Sequence, residues 1–157
     1  VLRRHPMLNA RFDGDGVVLF DTINMGVAVA SPQGLVVPVL RGAEQLELAS
    51  VARRLRDLVE AAQRARLALA QVSGGTFTIS NLGMYGISQF VPLVNPPQAA
   101  ILGVGGIQPA VLPAAAGTRH VQRLSMTVSA DHRIVDGAAA ASFLQDLQHA
   151  VEAAIVA

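Results

Sequence analysis

Chemically active side chains cluster between Ser129 and Gly137, where the sequence is Ser-Ala-Asp-His-Arg-Ile-Val-Asp-Gly. This segment contains an imidazole at His132 and a carboxylate four residues later at Asp136. A neutral imidazole titrates near physiological pH, so it is well suited to take up and return a proton during catalysis. The segment therefore permits general-base chemistry at His132, while a cap on a following helix equally explains Asp136.

Two further charges, Asp131 and Arg133, flank the histidine, and we expect them to pair with each other or to fasten neighbouring strands. An apolar strand pattern at 123–128 comes before them, and a helical pattern at 138–154 comes after them. The sequence thus predicts a turn that holds the titratable groups between a strand and the last helix. The apolar face of that helix comprises Phe143, Leu144, Leu147, Val151 and Ile155.

The remaining pattern predicts strands and one more helix. An Asp-Gly pair within 13–16 predicts a hairpin turn. The alternative is a calcium loop, which would need a third acidic or amide ligand and a distal Glu, and neither occurs at the required spacing. Apolar residues spaced three and four apart predict an amphipathic helix, and Pro and Ala enrichment predicts a loop. These patterns place strands at 23–30, 35–40, 74–86 and 98–104, the helix at 47–66 and the loop at 108–117.

Composition favours a single domain that associates with other subunits. The chain has 157 residues, of which 52% are hydrophobic and only 15% are charged, against roughly 25% in an average soluble domain. This deficit predicts that another subunit covers part of the apolar surface. The net charge of +1 and the absence of long apolar runs give no indication of nucleic acid or membrane as a partner.

Other candidate sites are less convincing. The Gly103-x-Gly105 pair lacks the third glycine and the helix of a dinucleotide-binding loop. Ser80 is not in a nucleophile elbow, and a serine at a strand end is most often a turn former. Because cysteine is absent and the other histidines are scattered, we predict no metal site, and we expect surface or capping roles for His5, His120 and His149.

The segment from Asp131 to Gly137 resembles the signature of the dihydrolipoamide acyltransferases, the E2 cores of 2-oxo acid dehydrogenase complexes. The resemblance continues through four further blocks in the family's order, at 5–12, 27–39, 74–86 and 95–105. It implies that residues 1–157 are the C-terminal part of an acyltransferase catalytic domain, whose N-terminal segment is missing. The implied α/β fold is a two-layer arrangement similar to chloramphenicol acetyltransferase, with a mixed sheet packed against helices.

The resemblance also implies the chemistry, which is transfer of an acyl group from dihydrolipoamide to coenzyme A. His132 would be the general base, Asp136 would orient its turn, and Ser80 of a neighbouring chain would stabilise the oxyanion. The implied assembly is a homotrimer, within a cubic or dodecahedral core of roughly 24 or 60 chains. The implied partners are E1, E3 and a lipoyl domain outside this chain, in the bacterial cytoplasm or the mitochondrial matrix.

Several alternatives stay open at this point. The block at 80–86 is most similar to the acetyl-transferring branch, although succinyl- or branched-chain-transferring relatives are possible. A non-catalytic structural relative would be expected to lack His132 or Ser80, and both are present. A relative of chloramphenicol acetyltransferase would share the His-x-x-x-Asp turn, but the Gly-Gly-Thr-Phe-Thr-Ile-Ser-Asn block argues against it.

Overall fold

The computed structural model describes residues 1–114 and 117–156, with side chains as far as residue 154. The strands that shape the fold are β1 Ala10–Phe12, β2 Val17–Leu19, β3 Met25–Val27, β4 Val29–Ser31, β5 Gly34–Val36, β6 Val39–Leu40, β7 Phe77–Asn81, β8 Ala100–Val104, β9 Gln108–Ala114, β10 Gly117–Arg123 and β11 Met126–Ala130. The α-helices are α1 Leu48–Gln63, α2 Leu69–Val72 and α3 Gly137–Val156, and short 3-10 turns lie at Leu2–Arg4, Pro6–Leu8, Ala43–Gln45 and Gly83–Tyr85.

A mixed five-stranded sheet organises the molecule, in the order β11-β8-β7-β3-β6. The three central strands β8, β7 and β3 run parallel to one another, and each outer strand is antiparallel to its neighbour. Parallel strands are expected to be buried, and the residues of β8 are accordingly almost all buried. The α/β class and the mixed sheet packed with helices are as predicted.

The core lies between the sheet and α3. Phe77 on β7 and Phe143 on α3 are 1% and 2% exposed, and their ring centroids are 6.0 Å apart. The N-terminal segment adds Leu8, which is also fully buried, to the same cluster. Buried aromatic side chains contribute much of the stability of a core, so the part of α3 around Phe143 is held against the sheet.

Two predicted strands are divided in the structure. The run at 23–30 forms β3 and β4, which belong to different sheets, and the run at 35–40 forms β5 and β6. Pro38 separates β5 from β6, as expected from its missing N–H. The hairpin at 13–16 is confirmed, since β1 pairs with β2 and the Asp13 N–H donates to the Gly16 carbonyl at 2.9 Å.

The loop predicted at 108–117 is wrong. Its described residues belong to a long hairpin in which β9 pairs with β10 from Gln108↔Arg123 to Ala114↔Gly117. Pro109 and Pro113 are compatible with this strand, because both fall at positions whose N–H would point away from the partner strand. Residues 115 and 116 of the predicted loop lie outside the described residues.

The long helices follow the predicted periodicity. The helix predicted at 47–66 is α1, although its end is followed by the short helix α2, which was not predicted. In α3, Phe143 is buried, while Leu144 and Leu147 pack against the core from half-buried positions. The side chain of Ile155 lies outside the described residues. No helix in the described ranges combines the length and the apolar character needed to cross a bilayer.

His5 has a more specific role than the surface or capping role predicted for it. Its ring is 11% exposed, and Nε2 is 2.8 Å from a carboxylate oxygen of Asp146 on α3. The ring also meets Phe143 edge to face, with centroids 5.6 Å apart. The hydrogen bond from His5 lowers the pKa of Asp146, and Arg4 adds a smaller effect in the same direction. The pair therefore fastens the N-terminal segment to α3.

Replacing Asp146 by asparagine is expected to lower the melting temperature at pH 7, because the charge opposite His5 and Arg4 is lost. A carboxyl whose pKa is lowered by folding stabilises the folded state above its unfolded pKa. That stabilisation disappears as the pH falls through the lowered value. Thermal melts of D146N and the wild type should consequently differ at pH 7 and converge in acid. D21N removes a carboxylate without an ion pair among the described residues, so an equal loss in that control would contradict the assignment.

Candidate active site

The turn that carries His132 continues directly from β11. The Asp131 N–H donates to the Ala99 carbonyl at 2.8 Å, which extends the pairing with β8 by one residue. The Asp131 carbonyl then accepts the N–H groups of Ile134 at 2.9 Å and Val135 at 3.0 Å. Both of those side chains are buried in the core. The predicted strand, turn and helix are confirmed, and the turn has a rigid support at each end.

Asp131 and Arg133 form the pair that the sequence suggested. The Arg133 guanidinium donates to both carboxylate oxygens, with Nη2 2.6 Å from Oδ2 and Nε 3.0 Å from Oδ1. The Arg133 N–H also donates to Oδ1 at 3.0 Å. These hydrogen bonds lower the pKa of Asp131 and raise that of Arg133. The guanidinium carbon lies 4.3 Å from the centroid of the Phe12 ring, a cation–π contact with β1.

His132 and Asp136 lie four positions apart on either side of the buried residues Ile134 and Val135, and both are exposed. The Asp136 carboxylate accepts the N–H of Ala139 at 2.7 Å, and the Asp136 carbonyl accepts that of Ala140. Asp136 is therefore the cap of α3, as predicted. Within the part of the chain that the structure describes, the His132 ring forms no hydrogen bond. An exposed imidazole with free nitrogens is open to a substrate proton.

Ser80 lies near the end of β7, half-buried and opposite Gly103 of β8. A Cβ at Gly103 would come within 3.0 Å of Pro92, so the segment that contains Phe90 and Pro92 packs closely beside this strand pair. Thr78, two residues earlier on the same side of β7, donates its hydroxyl to the Gln98 side chain at 2.6 Å. Among the described residues no such partner occupies the Ser80 hydroxyl, which leaves it available as a donor.

The structure does not bring Ser80 and His132 of one chain together. The strand register places Ser80 level with Gly103 and Thr127. Asp131 is four residues beyond Thr127 and two strands away from β7, which puts its Cα about 16 Å from that of Ser80. His132 can be only about 4 Å nearer than Asp131. The two side chains of one chain are thus beyond hydrogen-bond reach, and they lie toward opposite ends of the sheet.

The glycines at 103 and 105 have a packing explanation. A Cβ at Gly105 would come within 2.0 Å of the Ser88 carbonyl oxygen, so only glycine allows this backbone approach. In the described residues, no group of three or more histidines and carboxylates is arranged to hold a metal ion. The chemistry-bearing groups near the turn are consequently the imidazole and its flanking charges.

Phe12 is the residue near the turn that sequence analysis did not single out. An aromatic residue in a hairpin strand has no chemistry of its own, and its place in the block at 5–12 was the sole indication. Its contact with Arg133 depends on the pairing of Ala10 with Ala99, which no local pattern predicts.

The fold is that of dihydrolipoamide acyltransferase catalytic cores. A probable dihydrolipoamide acetyltransferase from Listeria monocytogenes superposes with a TM-score of 0.92 at 34% identity, over 96% of this chain and 64% of that one. The Azotobacter vinelandii dihydrolipoamide acetyltransferase, studied for the catalytic role of a serine, a histidine and an asparagine, gives 0.87 at 33%, over 93% and 61%. The cubic core of a pyruvate dehydrogenase multienzyme complex gives 0.88 at 34%, over 92% and 60%.

The sequence comparison agrees with the fold. The family model of the 2-oxoacid dehydrogenases acyltransferase (catalytic domain) matches residues 1–156, and the chain belongs to this family. It is 40% identical over 154 residues to the acetyltransferase component of the Schizosaccharomyces pombe mitochondrial pyruvate dehydrogenase complex. It is 41% identical over 155 residues to the human succinyltransferase component of the 2-oxoglutarate dehydrogenase complex. The matches cover 96% of this chain and about a third of each relative, 32% and 34%.

Proposed function

We propose that this chain, in its assembled form, transfers an acyl group from the thioester of acyl-dihydrolipoamide to the thiol of coenzyme A. The observation that supports this most directly is a shared spacing. In the Azotobacter vinelandii enzyme, the histidine lies 52 positions after the serine, and the asparagine lies four positions after the histidine. Ser80, His132 and Asp136 have the same spacing here.

His132 would act as the general base. A thiol with a pKa of about 8.5 is only a few per cent thiolate at pH 7, so a base that removes its proton raises the reactive population. The exposed ring of His132, held on the rigid turn, is free to accept that proton. The thiolate of coenzyme A then forms a bond to the thioester carbonyl carbon, and a tetrahedral oxyanion results. When the carbon–sulfur bond to dihydrolipoamide breaks, the imidazolium returns the proton to the departing sulfur.

Ser80 would donate its hydroxyl to the oxyanion, and it would do so toward the His132 of a neighbouring chain. The Cα atoms of Ser80 and Asp131 of one chain are about 16 Å apart, and this separation favours a site shared between subunits. Both residues lie at exposed or half-buried positions toward opposite ends of the sheet. A ring of three chains, in which each chain contributes one residue to each of two sites, satisfies this geometry.

Asp136 would position the turn and move no proton. Its carboxylate is already used as the cap of α3 through the Ala139 N–H at 2.7 Å. The Azotobacter vinelandii enzyme has an asparagine at this spacing, and an amide oxygen can cap a helix in the same way while it cannot serve as a base. The substitution between the two proteins supports an orienting role.

We also propose the wider complex, a homotrimer that assembles into a cubic or dodecahedral core. One solved relative, the cubic core of a pyruvate dehydrogenase multienzyme complex, supports the cubic form. E1, E3 and a lipoyl domain would be its partners, and coenzyme A its second substrate.

We further propose acetyl as the acyl group, on the basis of the block from Ser80 to Gly86. Purified chain supplied with coenzyme A should therefore use S-acetyl-dihydrolipoamide with a higher kcat/KM than the S-succinyl or branched-chain thioesters. The carboxylate of a succinyl group would need a cationic partner in the acyl pocket. A pocket without such a partner would lower kcat/KM for the succinyl donor by about tenfold or more relative to the acetyl donor. Formation of acyl-coenzyme A, followed by absorbance at the thioester band, measures this. A higher kcat/KM with the succinyl donor would reverse the specificity and leave the acyltransferase function intact.

A further inference from the structure

The turn that carries His132 is held from both sides by charged groups that the proposed chemistry does not use. The imidazole forms no hydrogen bond among the described residues, so its placement depends on how firmly the turn is held. Asp131 and Arg133 are the two residues that flank it. Their three side-chain hydrogen bonds, at 2.6, 3.0 and 3.1 Å, link the residues on either side of the histidine. The Arg133 N–H to Asp131 bond at 3.0 Å closes the same turn through the backbone.

The pair also contacts the hairpin formed by β1 and β2. The Arg133 guanidinium lies 4.3 Å from the Phe12 ring. Phe12 belongs to β1, whose Ala10 carbonyl accepts the Ala99 N–H at 2.8 Å, and the Ala99 carbonyl in turn accepts the Asp131 N–H at 2.8 Å. Phe12 and Asp131, which hold the Arg133 guanidinium between them (the clamp), are thus linked through the backbone of Ala99. Movement of the turn relative to β1 would break several of these contacts at once.

The contacts of Arg133 with Asp131 and Phe12 contribute little to the free energy of folding, but their geometry is specific. Arg133 is 63% exposed, and exposed ion pairs contribute little to stability. A guanidinium is nevertheless planar and forked, so it can bind a carboxylate through two nitrogens and stack on an aromatic ring at the same time. The Arg133 guanidinium therefore restricts the orientation of the turn more than it adds to the stability of the fold.

We propose that Arg133, clamped between the Asp131 carboxylate and the face of Phe12, is a positioning residue that fixes the turn presenting His132 to the thiol. This inference rests on the proposed function of His132. It differs from an alternative in which the exposed guanidinium binds a phosphate group of coenzyme A directly. The two roles predict changes in different kinetic parameters. Loss of a positioning residue lowers kcat, whereas loss of a phosphate contact raises KM for coenzyme A.

The test compares R133A with the wild type in steady-state acyl transfer, with coenzyme A varied at saturating acyl-dihydrolipoamide. We expect kcat to fall about tenfold to a hundredfold, as for other small displacements of a reacting group, with KM for coenzyme A changed less than about twofold. R133K should stay impaired, because lysine supplies the charge without the fork or the planar stack. D131N combined with R133A should lose no more than R133A alone, because the two residues act as a unit.

R64A is the matched control. Arg64 is 60% exposed and pairs with Glu60 at 2.6 Å, as Arg133 does with Asp131, but it caps the C-terminal end of α1. Its removal should leave kcat unchanged. An R133A variant with a raised KM for coenzyme A, unchanged kcat and full rescue by R133K would overturn the proposal in favour of a phosphate contact. An unchanged kcat and KM would overturn it in favour of no role.

F12L covers the case in which R133A fails to assemble, since it keeps the ion pair and removes the aromatic face. We expect kcat to fall about two- to fivefold, corresponding to an exposed cation–π contact, and an unchanged kcat would refute the clamp. An inactive wild type would instead refute the proposed function, so the two failures are distinguishable.

Discussion

Replacing His132 by alanine is expected to reduce kcat for acyl transfer to coenzyme A by about 10²–10⁴-fold, because the variant would lose the proposed general base. His132 is exposed and forms no hydrogen bond among the described residues, so the variant should fold and assemble as the wild type does. The measurement is the initial rate of acyl-coenzyme A formation, together with the elution volume of the assembled protein. The loss should be smaller at high pH, where the thiol ionises without help.

H120A is the control for this prediction. His120 lies on β10, where it is likewise exposed, and its strand pairs with β9 rather than with β11, which leads into the turn. It should retain the wild-type rate. If H132A retained full activity, the assignment of the base would be wrong; if the wild type showed no transfer at all, a structural relative without catalysis would be the better description.

Replacing Ser80 by alanine should lower kcat by about 10²–10³-fold, the usual loss when one donor to an oxyanion is removed. KM should change little, because the oxyanion exists only after the thiolate has added to the carbonyl. Ser50→Ala removes another half-buried serine, on α1, and serves as the control. A raised KM with unchanged kcat would assign Ser80 to substrate binding.

Mixing the two inactive variants tests whether the site is shared between chains. In assemblies formed from equal amounts of S80A and H132A chains, some interfaces join an intact Ser80 to an intact His132. Random assembly of a ring of chains makes about a quarter of the interfaces complete, so about a quarter of the wild-type rate should return. Co-expression of the two variant chains in equal amounts, without selection for mixed rings, gives this random distribution; purification of only those trimers that contain both variants would raise the expected share to about a third. Activity that stays at the level of the single variants would contradict a shared site.

The sequence determined the local features of this protein. The alternation of apolar residues predicted β11, the three–four spacing predicted α1 and α3, and the Asp-Gly pair predicted the first hairpin, because each depends on neighbouring residues. The turn with His132 and the cap at Asp136 were predicted for the same reason. The five motif blocks, in the order in which the family has them, also indicate the family without any knowledge of the geometry.

The tertiary structure decided which distant residues meet. The hairpin of β9 and β10 was missed because its prolines suggest a loop, whereas pairing at suitable positions tolerates them. The distance between Ser80 and His132 depends on the order of β7, β8 and β11, and the seat of Arg133 on Phe12 depends on hydrogen bonds through Ala99. Such contacts join residues far apart in sequence, and their geometry follows from strand order and register, which local periodicity does not encode.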